Sequence, residues 1–507
     1  MEQRVTEEVA GPKATSREWI GLGVIALPCI LYSMDLTVLN LAVPHLTADL
    51  KPSSAELLWI VDIYGFMIAG SLITMGTLGD RIGRRRLLMI GAVAFGAASI
   101  VAAFANSVET LIAARALLGV AGATLAPSTL SLIRNMFHDP DERTFAIGMW
   151  VMSYSAGGAL GPVLGGVLLE YFWWGSVFLL AVPVMVLLLI VAPILLPEYR
   201  DPQAGRLDVL SAALSLIAVL SVIWGLKSIA EGGLSALAGV SIVAGVIVGT
   251  IFVRRQKTLA DPLLDLRLFA KPSFTAAVAV NILGVFVAFA SFMFTAQYLQ
   301  LVLGLSPLAA GLWSLPGALA FVACSFIAPS IAQKLGPRRT IAIGLIIVAL
   351  SFALLTQVDV YGLPAIVGAM VAMSFGLSPV FILTTDLIVS SAPPERAGAA
   401  AAISETGAEF GGVLGIAVLG SIGIAIYRSM MASPTLDGVP AQALATARDT
   451  LGGAVAASAE LSPALGTLLL DTARGAFVHG FEIIVLVCAV IAIATAFLSA
   501  RYLRPAV

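Results

Sequence analysis

Two carboxylates, Glu405 and Glu409, stand four residues apart in the stretch AAISETGAEFGGVLG (residues 401–415), inside a long apolar run. On a helix that spacing puts both on one face. Like charges so placed in poorly hydrated surroundings resist being ionised together, and such a pair takes up and releases protons as a unit. The chemistry on offer is reversible protonation in competition with a bound cation. Asp35 lies in another apolar run, 20–44, where Asn40 extends a polar face. An uncompensated buried anion is costly, so Asp35 must be protonated, paired or turned to a cavity.

Arg115 stands alone as a cation placed within an apolar run. Such a residue needs acidic or backbone partners and is a functional candidate by default; the alternatives are a snorkelling arginine and a structural pair with Asp35. Asp62 lies in the outer part of the second run and Asp386 toward the inner end of the twelfth. Glu405 is near enough to a helix start to reach water, whereas Glu409 is deeper. The order of candidates is Asp35 and Glu409, then Glu405, then Arg115, Asp62 and Asp386. Trp59, Tyr64, Trp150, Tyr154, Phe292 and Tyr298 are candidate contacts for flat lipophilic cations by cation–π interaction, with membrane-interface belts or core packing as the alternative. The three cysteines (Cys29, Cys324, Cys488) and three histidines are scattered. Neither set has metal-ligand or disulfide spacing, so a metal site or redox centre is not expected.

The elements holding these residues are set by composition. Of 507 residues, 59% are hydrophobic and 11% charged, against roughly 25% charged in soluble domains. Mean hydropathy is +1.00. The net charge of −2 gives no global field toward nucleic acid. Fourteen apolar runs are each long enough for a membrane helix, so the expected fold is all-α with fourteen transmembrane helices. The first run is too long for a signal-peptide core and is read as a retained helix. With the N-terminus in the cytoplasm, nearly all Lys and Arg outside the spans fall inside, which predicts both termini cytoplasmic. The stretch 427–476, broken by Pro440 and Pro463, is expected to be an external loop with short helices.

The loop LGDRIGRRR (78–86) aligns with IAQKLGPRR (331–339), Gly83 meeting Gly336. Each follows the second helix of a group of six, so two six-helix bundles flank an extra pair. The expected organisation is a tail (1–19), an N-terminal bundle (20–198), two added helices (206–254), a cytoplasmic loop (255–273), a C-terminal bundle (274–500) and a tail (501–507).

Four stretches resemble the major facilitator superfamily, and within it the fourteen-helix drug:proton antiporters, which include quaternary ammonium and multidrug efflux pumps. They are GTLGDRIGRRRLL (76–88), GGALGPVLGG (157–166), RALLGVAG (115–122) and MDLTVLNLAVP (34–44). The resemblance implies a conformational latch at Gly76, Asp80, Arg81, Gly83, Arg84 and Arg85. It implies an antiporter motif at Gly157, Gly161, Pro162, Gly165 and Gly166, whose glycines form a small-residue face. It further implies a role for Arg115 in proton transfer, although Leu118 stands where the family usually has glutamine. The function it implies is export of lipophilic cationic drugs by a multi-pass protein of a bacterial inner membrane, acting as a monomer. Protons drive it without a cofactor, and it is not an enzyme. Acids in the thirteenth helix often accompany dication recognition in the family, while an acid common in the tenth is missing here. The alternative function is export of a natural metabolite such as a siderophore or antibiotic.

Overall fold

The computed structural model describes residues 12–52, 54–200, 208–232, 235–259, 262–305, 307–358, 362–393, 396–432, 436 and 438–503. The side chains of some helical residues, Asn40, Asp62 and Pro162 among them, lie outside the described residues, as do most of both tails.

Each expected apolar run falls on one long helix. These are α1 (Ser16–Leu50), α2 (Ser54–Ile82), α3 (Arg84–Ala103), α4 (Val108–Met136) and α5 (Pro140–Tyr171). Then come α6 (Ser176–Leu195, interrupted at Leu180), α7 (Val209–Gly232), α8 (Ala236–Gln256) and α9 (Pro272–Gln297). The series continues with α10 (Pro307–Leu335), α11 (Pro337–Leu355), α12 (Leu363–Ser390) and α13 (Ala397–Ala432). Two short helices, α14 (Ala441–Asp449) and α15 (Leu451–Ala459), precede α16 (Pro463–Tyr502). Among the described residues, twelve helices are long and apolar enough to cross a membrane. The two long helices outside that set, α2 and α5, pack into the same bundles.

Local chemistry explains the helix starts. Asp139 caps α5 by accepting from the backbone N–H groups of Asp141 (2.9 Å) and Glu142 (3.0 Å), with Pro140 in the first turn. Ser107 caps α4, accepting from Thr110 N at 3.2 Å. Between α2 and α3 the turn is a single residue, Gly83, at φ +113°, and between α10 and α11 it is Gly336 at φ +80°. A side chain rarely tolerates that backbone, so the aligned glycines do the same job in both halves.

The repeat also appears in the packing. In the first half α1 packs on α5, α2 on α4, and α3 on both α4 and α6. In the second, α9 packs on α13, α10 on α12, and α11 on both α12 and α16. These are the same pairs once α1–α6 are matched in order to α9–α13 and α16. The hairpin α7–α8 sits against α2 and α13. There Gly70 admits Leu216, and Phe66, Ile223 and Val413 share one apolar cluster.

The loop expected over 427–476 is shorter than the composition suggested. α13 runs on to Ala432 and α16 begins at Pro463, so much of the stretch continues the flanking helices. At 1.5 Å per residue α13 (36 residues) and α16 (40 residues) are each well over the ~30 Å bilayer core. The protruding ends are tied to the short helices by Tyr427 Oη, which donates to Ala447 O at 2.6 Å, and Arg448 Nε, which donates to Met431 O at 3.1 Å.

Candidate functional site

Helix α13 faces two ways. Its glycines 407, 411 and 415 pack on α9; a Cβ at Gly411 would lie 2.6 Å from Ile282 O, and one at Gly415 2.2 Å from Phe286 O. Glu405 and Glu409 precede Gly407 and Gly411 by two residues, a rotation of about 200° on a helix with 3.6 residues per turn. The glycine seam therefore turns both carboxylates away from their own half. Tyr32 of α1 meets them, its Oη donating to Glu409 Oε1 at 3.0 Å. Glu405 lies within electrostatic reach of Cys29, Tyr32 and Tyr154.

The matching seam in the first half is the expected antiporter motif. A Cβ at Gly157 would meet Ile30 O at 2.2 Å, and one at Gly165 would meet Val38 Cγ1 at 2.9 Å, so α5 lies directly on α1. Gly161 is buried on the same helix, and Gly166 faces open space. This close approach gathers aromatic rings beside the carboxylates. The Tyr32 and Tyr154 ring centroids are 5.4 Å apart, those of Trp150 and Tyr154 4.8 Å, and those of Tyr32 and Tyr64 6.2 Å. Trp150 Nε1 donates to Thr129 Oγ1 at 2.9 Å, fixing the indole.

Asp35 and Arg115 form an ion pair through Arg115 Nη1. The guanidinium is 1% exposed and donates also to the carbonyls of Ile60 (3.1 Å) and Val61 (3.3 Å). It lies 4.7 Å from the Tyr64 ring centroid. Arg115 is thus compensated inside the first half and does not snorkel, and Asp35 takes the paired arrangement that the sequence left as one option. Tyr64 links this pair to Tyr32, donating to the Tyr32 carbonyl at 3.4 Å.

Asp386 belongs to a different contact. It accepts from Arg143 Nε (3.3 Å), Thr144 Oγ1 (2.9 Å) and Ser390 Oγ (2.9 Å), tying the start of α5 to the end of α12. The residues expected to form a latch lie at the same end of the molecule. Asp80 is paired with the fully buried Arg84 and accepts backbone hydrogen bonds from Gly398 and Ala399 at the start of α13. Gly76 faces the same turn; a Cβ there would lie 2.7 Å from Gly398 O. On the outer side, Arg85 Nη1 donates to the carbonyls of Pro193 and Leu196. One guanidinium nitrogen of Arg81 is also enclosed in the protein. The two halves are therefore joined at the latch end, with Phe145 and Phe326 6.1 Å apart.

Asp35, Arg115, Glu405, Glu409, Tyr64, Trp150 and Tyr154 thus share one region, and Asp386 stands outside it. Asp62's side chain is not among the described residues. Trp59 and Phe292 are 42% and 44% exposed on the surface, and Tyr298 packs on Phe481 in the second-half core. Tyr32 was missed by the sequence reading. Its signal is the three-residue spacing from Asp35, which places both on one face of α1.

Residues 25–416 match the sequence profile described as Major Facilitator Superfamily. The chain is 43% identical over 485 residues to the multidrug efflux pump LfrA of Mycolicibacterium smegmatis, covering 96% of each chain. It is 37% identical to the methyl viologen resistance protein SmvA of Salmonella typhimurium, covering 92% of this chain and 94% of that one. It is 31% identical to the tetracenomycin C resistance and export protein of Streptomyces glaucescens, covering 80% and 76%. Among solved structures, the human organic anion transporter MFSD10 (TETRAN) superposes with a TM-score of 0.59 at 16% identity, covering 94% and 99%. At that identity the likeness speaks to the fold.

Proposed function

The chain belongs to the major facilitator superfamily and is a drug efflux transporter, and from that premise we propose that it exports lipophilic cations in exchange for protons. The substrates are quaternary ammonium antiseptics, cationic dyes and dications. The protein works as a monomer in a bacterial cytoplasmic membrane, with fourteen spans, both termini inside and the domain boundaries expected from the sequence. It needs no cofactor and catalyses no covalent step.

One observation carries the reading: Glu409, four residues from Glu405, is held by Tyr32 of the opposite half among Tyr64, Trp150 and Tyr154. Carboxylates beside aromatic faces suit a flat cation, the rings supplying cation–π attraction and the acids the counter-charge. The relative named for methyl viologen resistance supports the dication, since methyl viologen is a flat molecule with two positive charges.

Coupling follows from competition. A carboxyl protonated from outside releases its proton inside as a cation takes its place. One pH unit supplies about 1.4 kcal/mol per proton. A membrane potential adds about 2.3 kcal/mol per net charge per 100 mV. Asp35 with Arg115 is the second proton-handling pair, joined to the first through Tyr64 and Tyr32. Asp80, Arg84 and Asp386 serve the cycle differently, as the closure of the cytoplasmic end.

The test is uptake of a cationic dye into everted vesicles with an imposed pH gradient, for the native chain and for Glu409→Gln, Glu405→Gln and Asp35→Asn. Asp35→Asn is expected to abolish gradient-driven transport generally, whereas the glutamate changes remove dications more than monocations. Wild-type uptake by all three, or uptake indifferent to the gradient, refutes the assignment. The relative named for tetracenomycin C export favours the second reading, a natural-product exporter. That reading gains if an uncharged polyketide is carried and the dyes are not.

A further inference from the structure

On the outer flank of the latch, α3 and the end of α6 enclose a groove of about 600 Å³. Its wall is apolar: Ile90 and Val93 of α3 are 51% and 57% exposed there, opposite Leu189 of α6. Its rim is basic, and the basic residues come from two separate segments: Arg85 and Arg86 begin α3, while Arg200 follows α6. Arg85 is already engaged by the carbonyls of Pro193 and Leu196 and by Glu198 at 3.7 Å. Arg86 and Arg200 are exposed and have no hydrogen-bond or ion-pair partner among the described residues. With Glu198 counted, three arginines and one acid leave the rim with two positive charges.

We propose that this groove is a binding site for one anionic phospholipid of the cytoplasmic leaflet. Its headgroup phosphate lies between Arg86 and Arg200, and an acyl chain runs along Ile90, Val93 and Leu189. Guanidinium forks match phosphate oxygens in pairs, and two of them brought to one groove by separate segments define a position rather than a diffuse attraction. Basic pockets between membrane helices on the cytoplasmic side hold anionic headgroups by this combination of charge and apolar wall. A free anion would use the arginines and leave the apolar wall bare.

The occupant also has a mechanical address. The segment carrying Arg200 is stapled to the latch turn, Tyr199 O accepting from Arg84 N at 2.9 Å and Glu198 Oε1 from Arg85 N at 3.1 Å. A phosphate bridging Arg86 and Arg200 adds a third link between the same two segments, next to the arginine that closes on α13. The leaflet follows from the orientation proposed above; binding itself does not depend on transport.

The experiment is native mass spectrometry of the full chain released from nanodiscs holding equal amounts of phosphatidylglycerol and phosphatidylcholine with identical acyl chains. The native protein is expected to retain one phosphatidylglycerol with at least fivefold preference. Arg86→Ala/Arg200→Ala should bring that preference below twofold, and Arg86→Lys/Arg200→Lys should keep part of it. The control is Arg254→Ala/Lys257→Ala at the groove beside α8, whose basic residues come from a single helix end; it should retain the preference. Three results would overturn the site: full retention by Arg86→Ala/Arg200→Ala, equal loss in the control, or complete displacement of the lipid by millimolar inorganic phosphate. Melting temperatures of the variants within a few degrees of the native chain certify that folded protein was weighed.

Discussion

Tyr32 is where the two halves share a functional group, and its loss is a mild and specific change. Phenylalanine keeps the ring stack with Tyr154 and removes the donor to Glu409. A hydrogen bond to a charged group contributes about 1.5–3 kcal/mol at most, or about tenfold in binding per 1.4 kcal/mol. Tyr32→Phe should therefore raise the KM for a dicationic dye by about tenfold while the maximal rate stays within twofold, read from initial rates of efflux. Arg115 gives a harsher outcome. Arg115→Ala leaves Asp35 in the bundle without its partner, and breaking a buried pair costs about 3–5 kcal/mol. Thermal unfolding in detergent should show a large loss, most of it restored when Asp35→Asn is added, with gradient-driven transport absent in both. The charged members of this region were legible because acids and arginines stand out in an apolar run. Tyr32 was not, since a tyrosine in such a run looks the same whether it faces lipid, core or a partner helix. Asp386 stands apart from this region for a related reason: depth along a helix is readable from sequence, but the helix it faces is not.

At the scale of elements, α5 and α13 are the same device used twice. Each presents a row of glycines to the first helix of its half, Gly157 and Gly165 to α1 and Gly407, Gly411 and Gly415 to α9, and α13 uses its opposite side for the two glutamates. In α5 the pattern was recognised as a motif. In α13 Gly407 lies between the two glutamates that drew attention and Gly411 and Gly415 follow them, and their periodicity carries the same information. A β-carbon at Gly415 would sit 2.2 Å from the Phe286 carbonyl, so the helices must separate to admit one. Gly415→Leu should lower the melting temperature and disturb transport together, by about 1–3 kcal/mol of overpacking. Gly166→Ala, on open space, should change neither and serves as the control. Helix positions were readable throughout because a bilayer imposes a minimum apolar length. The ends of α13 and α16 were not, because alanine-rich helix continues beyond the membrane where hydropathy no longer marks it.

For the whole molecule, the structure captures a conformation shut at the latch end. Asp80 seated on the start of α13, Asp386 held by Arg143 and Thr144, and Phe145 against Phe326 all join the first half to the second. Alternating access requires these contacts to break and reform in each cycle. A Phe145→Cys/Phe326→Cys pair, in a chain whose buried Cys29, Cys324 and Cys488 are replaced by serine or alanine, should crosslink with a short bifunctional thiol reagent. Crosslinking should stop efflux, and a reducible reagent should restore it on reduction. Efflux that continues at full rate while crosslinked would show that the two halves do not part here.

The α7–α8 hairpin makes the barrel of helices lopsided. It lies along the line where α2 meets α13, while among the described residues no such hairpin covers the line where α5 meets α10. A solute dissolved in the hydrocarbon thus confronts a wall on one flank and a bare seam on the other. A hydrophobic guest entering sideways from the bilayer would find its shorter route on the α5–α10 flank, where Phe145 faces Phe326 and Gly148 lies against Ser325.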